Sequence, residues 1–335
     1  MGYRPTHVLG AHLSVAGGLE RALLEAGALG CECVQIFVKN QRQWRAGPLT
    51  ADQIERFRQA RNAMCVTPVV AHASYLLNLA SPDKQVRQRS RDAMIDELER
   101  CEALGVDYLV FHPGAHLNAE VQSSKSKDRK QSRGCEGAGS GLSNVDCRLS
   151  NEQTRISTAT CDGDALAAGI EWIARSLDEV HRSCAGFRTK VLLETTAGQG
   201  TAIGWRFEHL RGILDRVSEA NRLGVCLDTC HLFAAGYDFR TAVGYAAMMR
   251  ELNRVIGVDR VRCIHMNDSK RELGSRVDRH EHIGKGKIGK VGFSHFLNDP
   301  LFVGVPMILE TPKGVDGRGT DLDKVNLKRL RVLVR

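Results

Sequence analysis

The stretch Gly224-Val-Cys-Leu-Asp-Thr-Cys-His231 decides how this chain is read: a short apolar run, Gly224–Leu227, ends abruptly in Asp228 and His231. A run of that length, bounded by polar residues, is the signature of a buried strand. Seven more runs of the same kind recur, at Val8–Leu13, Val34–Val38, Thr67–Ala71, Tyr108–Phe111, Val191–Leu193, Arg262–Ile264 and Pro306–Leu309. Between them lie segments with apolar residues at helical spacing, among them Gln85–Leu104, Ala165–Cys184 and Phe207–Val217. Eight strands alternating with helices predict an α/β fold whose parallel sheet closes into a (β/α)8 TIM barrel spanning residues 1–335 as one domain. An open doubly wound sheet is the alternative, but no Gly-rich dinucleotide loop comes after the first strand.

The residues just past each strand carry the chemistry. The third strand leads into His72, the fourth into His112 and the fifth into Glu194. The sixth leads into Asp228 and His231, the seventh into His265 and the eighth into Glu310, while Asp278 and His280 lie in the loop after the seventh. In a barrel these strand ends converge on the C-terminal face, where active sites are built. Five histidines and four carboxylates on one mouth, with no thiolate, suit zinc or manganese in a water-accessible site. Nine donors exceed the needs of one ion and, with a bridging carboxylate, suffice for three. Closely spaced metals suit phosphoryl chemistry, holding the attacking and leaving oxygens together. A single His or Glu at a strand end is more often a structural hydrogen-bonder, and His7, His12, His116, His209 and His295 are read that way. Six consecutive strands each ending in a ligand-type residue are hard to credit to chance.

Composition sets the frame. The 335 residues are 42% hydrophobic, enough for a large core, and the formal charge of +8 favours a polyanionic partner. No apolar run reaches the roughly 20 residues of a membrane span, and the start has no signal-peptide pattern. The expected location is therefore intracellular, in whichever compartment holds DNA: the nucleus of a eukaryote or the cytoplasm of a prokaryote. Eleven cysteines without a CxxC pair read as small packing residues in a reduced compartment. From Ala119 to Gly163 the sequence turns polar (SSKSKDRKQSRGCEGAGSG at Ser123–Gly141), which predicts a disordered insertion within the barrel. Cys135, Cys147 and Cys161 within it lack the spacing of metal ligands.

Nine blocks in order make the chain resemble the endonuclease IV family of zinc-dependent apurinic/apyrimidinic endonucleases. They are GAHLSVAGGL (Gly10–Leu19), KNQRQW (Lys39–Trp44), HASYLLNL (His72–Leu79), FHPGAH (Phe111–His116) and ETTAGQG (Glu194–Gly200), then LDTCHLFAAGYD (Leu227–Asp238), HMNDSK (His265–Lys270), GSRVDRHEHIGKGKIG (Gly274–Gly289) and ILET (Ile308–Thr311). The resemblance implies three zinc ions, with manganese as a substitute. His72, His112 and Glu194 would hold one; Glu194 would bridge to a second shared with Asp228, His265 and Glu310; His231, Asp278 and His280 would hold the third. It further implies that a metal-held hydroxide is the nucleophile, so no side chain need act as base. The implied reaction is hydrolysis of duplex DNA 5′ to an abasic site, leaving a 3′-hydroxyl and a 5′-deoxyribose phosphate, with trimming of blocked 3′ ends as a side activity. Arg42, Tyr75 and Leu76 would wedge into the duplex, and the enzyme is expected to act as a monomer with no membrane partner.

One departure stands out: Ala73 comes after His72 where many relatives carry Asp, which touches a partner of the ligand and not a ligand. Two rival readings remain. A metal-dependent sugar isomerase shares the barrel but leaves the trio His231, Asp278 and His280 unexplained. A protein that binds damaged DNA without cutting it requires a broken metal site, whereas all nine ligand positions are intact.

Overall fold

The computed structural model describes residues 7–116 and 146–335, the side chains of 146–162 excepted. Eight parallel strands close into a barrel: β1 (Val8–His12), β2 (Cys33–Ile36), β3 (Val69–His72), β4 (Tyr108–Phe111), β5 (Lys190–Glu194), β6 (Leu223–Asp228), β7 (Val261–His265) and β10 (Pro306–Leu309). Two short strands, β8 (Asp268–Ser269) and β9 (His280–Glu281), form a separate antiparallel pair on the loop between β7 and β10. The helices outside the barrel include α1 (Leu19–Leu29), α2 (Ala51–Met64), α3 (Lys84–Leu104), α4 (Asp146–Ser183) and α5 (Phe207–Leu214). Beyond them come α6 (Thr229–Ala235), α7 (Ala242–Val255), α8 (Gly289–Leu297) and α9 (Leu322–Arg331).

The strand boundaries move by a residue or two from those expected, for local reasons. Pro68 has no N–H for the ladder, so β3 starts at Val69 and runs on to His72. Phe37 and Val38 prolong the apolar run of β2 past its last pairing, Ile36 with Ala71, and Val38 is buried without belonging to the sheet. The polar segment expected to be disordered over 119–163 lies outside the described residues up to position 145. Its last part, from Asp146, belongs to α4. That part contains no proline, and adding a residue to an existing helix costs far less than starting one.

Two buried layers hold the barrel. A large cluster packs the helices against its outer wall. A smaller one fills its interior: Cys33, Val70, Val110, Leu192, Cys226, Cys263 and Ile308, one residue from each of seven strands and all fully buried. The eighth strand contributes Gly10, where a Cβ would lie 2.1 Å from the Cys33 carbonyl oxygen, so the inward position of β1 must be glycine. Among the described residues no helix is long and apolar enough to cross a membrane.

Candidate metal centre

Because side chains alternate along a strand, the residue two places after each inward-facing one also faces inward, one layer nearer the C-terminal mouth. Two after Val70 is His72, after Val110 is His112, after Leu192 is Glu194, after Cys226 is Asp228, after Cys263 is His265 and after Ile308 is Glu310. Six of the expected ligands are therefore one layer of a barrel, set above a plug of small apolar side chains. The donor atoms group as expected. Those of His72, His112 and Glu194 lie within 4.8 Å of one another, as do those of Glu194, Asp228, His265 and Glu310, and those of His231, Asp278 and His280. Two sulfur-containing groups meet the same limit, Cys226 with Cys263 and His265, and Asp228 with Cys230 and His280.

The third trio comes from loops that are tied down. Asp228 caps α6 by accepting from the His231 N–H at 2.7 Å, so one carboxylate starts the helix and faces the centre. Asp278 lies on the loop between β8 and β9, and His280 is the first residue of β9. Asp268, at the base of this loop, accepts from the N–H groups of Gly284, Gly286 and Ile288 at 2.9–3.1 Å. A Cβ on Gly286 would come within 2.3 Å of the Ser269 carbonyl, so this close approach needs glycine.

Three of the imidazoles are aimed by their Nδ1 atoms. The Nδ1 of His72 donates to the Ala73 carbonyl (2.7 Å), that of His231 to the Thr195 carbonyl (2.8 Å) and that of His280 to the Glu310 carbonyl (3.1 Å). Their Nε2 atoms then face carboxylate oxygens: Glu194 for His72 at 3.1 Å, and Asp278 for both His231 and His280 at 3.2 Å. This is the orientation of metal-binding histidines, in which a hydrogen bond from one nitrogen fixes the lone pair on the other. His72 obtains its partner from the backbone of Ala73, so the missing Asp side chain does not leave the ring unheld.

Glu194 is fully buried and touches four imidazoles at 3.0–3.3 Å: His72, His112, His231 and His265. Burial opposes its charge, but His112 and His265 beside it hold the carboxyl well below the usual range. Asp278 and Glu310 are likewise held low against burial, the first by His231 and His280, the second chiefly by His265. Burial works the other way on His280, yet Asp228 and Asp278 raise it to about 9. Among the described residues every ion-pair partner of Glu194, Asp228, Asp278 and Glu310 is a histidine. Four carboxylates, Glu194 and Asp228 fully buried and Asp278 at the open edge, thus gather with no lysine or arginine among these ion pairs to neutralise them. Nitrogen and oxygen donors crowded in this way fit divalent cations.

The expected DNA-contacting residues stand around this mouth. Tyr75 is 60% exposed, and its ring lies 5.3 Å from that of His72 and 5.8 Å from that of His112. Leu76 is half-buried and Arg42 is exposed on the neighbouring loop. An open cleft of about 290 Å³ runs beside the centre, bordered by Tyr75, Asn78, His112, Gly198, Gln199 and Asp278. One residue in the layer escaped the sequence reading. Gln35, two places after Cys33 on β2, is fully buried and bonds both His265 and Glu310. The inward register of β2 carries the signal, but Gln35 neither titrates nor lies past the end of its strand. His12, two after Gly10, also joins the layer, with Nδ1 2.9 Å from Gln35 Nε2.

Known proteins resemble both the sequence and this geometry. The profile of a family described as a xylose isomerase-like TIM barrel matches residues 23–330. A probable endonuclease 4 of Chloroflexus aurantiacus is 43% identical over 97% of this chain and 98% of its own length. One of Geobacter sulfurreducens is 40% identical over 98% of this chain and 94% of its own. The crystal structure of endonuclease IV from Thermus thermophilus superposes with a TM-score of 0.73 at 34% identity, covering 97% of this chain and 98% of that one. A D-tagatose 3-epimerase-like protein, at 16% identity and a TM-score of 0.62 over 97% of both chains, shares the fold alone. A barrel of this family, full-length identity at that level and a histidine–carboxylate layer at its mouth lead to one conclusion: the chain belongs to the endonuclease IV family.

Proposed function

We propose that this protein is a DNA-repair endonuclease that hydrolyses the phosphodiester 5′ to abasic sites in duplex DNA, leaving a 3′-hydroxyl and a 5′-deoxyribose phosphate. The observation that carries the reading is the set of four carboxylates neutralised only by histidines, opening onto a cleft beside an exposed tyrosine. Three zinc ions fit the donor sets: one on His72, His112 and Glu194, one on Glu194, Asp228, His265 and Glu310, one on His231, Asp278 and His280. Bound there, the ions supply hydroxide at neutral pH and positive charge for the phosphate and the departing oxygen. The chain's own part is to hold Glu194 between two donor sets, to orient His72, His231 and His280 from the backbone and His265 from Gln35, and to keep the reacting phosphate at the cleft. Tyr75 and Leu76, with Arg42 beside them, fill the gap left when the abasic nucleotide leaves the stack, which costs little because no base is unstacked. All nine donors come from one chain, which supports a monomer as the active unit. A blocked 3′ end is joined through the same kind of phosphoester bond, so 3′-trimming is expected as a secondary activity.

The test uses a duplex with one abasic analogue, incubated with the purified protein, a chelator-treated sample and His231→Ala. Incision 5′ to the lesion is expected, lost after chelation and restored by zinc, with manganese run in parallel. His231→Ala should fall by more than the roughly 10–100-fold that loss of an outer partner of a ligand costs. An inert protein holding its full complement of metal ends the repair reading and turns attention to sugar isomerisation or to damage binding.

Tyr75→Ala tests the wedge separately. Stacking on a base is worth about 1–3 kcal/mol, so KM for the abasic duplex should rise by roughly 5- to 150-fold. Metal content should not change, since the ring packs over His72 and His112 without a hydrogen bond to either. An unchanged KM removes Tyr75 from the DNA contact.

A further inference from the structure

We infer that Gln35 is a positioning residue of the metal centre: it fixes which nitrogen of His265 is free and which way Glu310 points, and so sets how tightly their shared ion is held. The inference rests on the metal-centre reading above. Gln35 is fully buried and presents its amide to three groups. Its Nε2 lies 2.5 Å from Glu310 Oε1 and 2.9 Å from His12 Nδ1, and its Oε1 lies 2.8 Å from His265 Nε2. The amide cannot be turned over, because an ionised carboxylate only accepts, so the NH2 must face Glu310. The carbonyl oxygen then requires a hydrogen on His265 Nε2.

The consequence for His265 comes from its ring chemistry. With hydrogen on Nε2, a neutral imidazole keeps its lone pair on Nδ1, which sits 3.1 Å from Glu194 Oε1 and 3.2 Å from Glu310 Oε2. Without Gln35 the other tautomer gains ground, since a hydrogen on Nδ1 finds two carboxylate acceptors at once. That tautomer closes the position against a cation. Gln35 thus disfavours the self-satisfied arrangement and holds the donor set open. The other three aimed histidines take their orientation from backbone carbonyls, whereas His265 depends on this one side chain from a different strand.

Gln35→Met keeps the length and volume and removes all three bonds; Gln35→Glu keeps an acceptor for His265 but sets a carboxylate against Glu310. Zinc per chain and chelator-competition affinity are measured for wild type and both variants, with the melting of the chelated proteins as a check on folding. Expected is a selective weakening of one ion per chain by about 10–100-fold in Gln35→Met. Its kcat should fall while KM for the abasic duplex stays put, because Gln35 does not reach the surface. Weakening in Gln35→Glu as well shows that the Glu310 arm matters; retention there shows that the His265 arm dominates, and either supports the role. Should Gln35→Met not fold, weakening of one ion in a folded Gln35→Glu carries the case. Wild-type affinity for every ion in both variants overturns the inference and leaves the metal centre standing. Loss of all ions in proportion to a lower melting point overturns it too, as a merely structural effect. A wild-type chain that binds no zinc brings down the metal reading itself.

Discussion

Glu194→Gln is expected to strip the centre of metal and to reduce incision by about 10²- to 10⁴-fold while the barrel stays folded. The substitution preserves size and shape, so the plug below, with Leu192 two residues earlier, is undisturbed. What it removes is the one charge that faces His72, His112, His231 and His265 together. Taking away one partner of a buried charge cluster costs about 3–5 kcal/mol. At 1.36 kcal/mol per factor of ten that energy corresponds to the range given. An amide in this position also presents two N–H donors toward a space that the other donors reserve for cations. Metal analysis, incision of an abasic duplex and circular dichroism on the same preparation check the three parts of the expectation. A variant that keeps its metal and cuts within tenfold of wild type removes Glu194 from the role of bridge.

Most of this architecture was legible in the residues, and the limits have physical causes. All eight barrel strands are legible because each is a short apolar run stopped by a polar residue, and six of the nine proposed ligands are those stopping residues. Strand ends were misjudged where burial and pairing part company, as at Val38, which is apolar and buried but no longer in the sheet. Gln35 was passed over because it neither titrates nor lies past the end of its strand; only the register of β2, in which Cys33 faces the barrel interior, reveals it. His12, which the sequence marks only as a structural hydrogen-bonder, contacts Gln35 and Glu310 and so lies beside the proposed ligands. The order of Asp278 and His280 on their loop depends on Asp268 gathering three distant N–H groups, a tertiary fact that no local pattern encodes.

Lys39→Met is expected to cost about 3–5 kcal/mol of stability and to loosen the rim proposed to contact DNA without touching the metal. The Lys39 side chain is only 2% exposed; its ammonium donates to the Trp44 carbonyl at 2.9 Å and to Asp96 at 2.8 Å, and lies 3.4 Å from Glu97. Glu97, equally buried, accepts from the Ser74 N–H at 3.2 Å, and the Ser74 hydroxyl donates to the Gln41 carbonyl at 2.6 Å. The loop of Arg42 and the loop of Tyr75 and Leu76 are therefore fastened to one buried ion pair. Methionine fills the space of the lysine but leaves Glu97 without its counter-charge. Burial already holds the Glu97 carboxyl above its ordinary 4.5, with Lys39 pulling it down, so losing Lys39 must raise it further. An acid whose pKa is higher in the folded than in the unfolded state costs nothing below the unfolded pKa and costs progressively more as pH rises above it. The stability gap between wild type and Lys39→Met should accordingly be small near pH 4, widen once pH passes the wild-type native value, itself above 4.5, and level off above the still higher native value of the variant. Adding Glu97→Gln should restore much of the stability at neutral pH, because the amide oxygen can still accept from Ser74 and no charge is stranded. Denaturant unfolding across pH checks the energies, and KM for the abasic duplex, expected to rise in Lys39→Met at unchanged metal content, checks the coupling to DNA. A pH-independent gap that Glu97→Gln does not narrow assigns the loss to lysine packing alone and separates the two loops again.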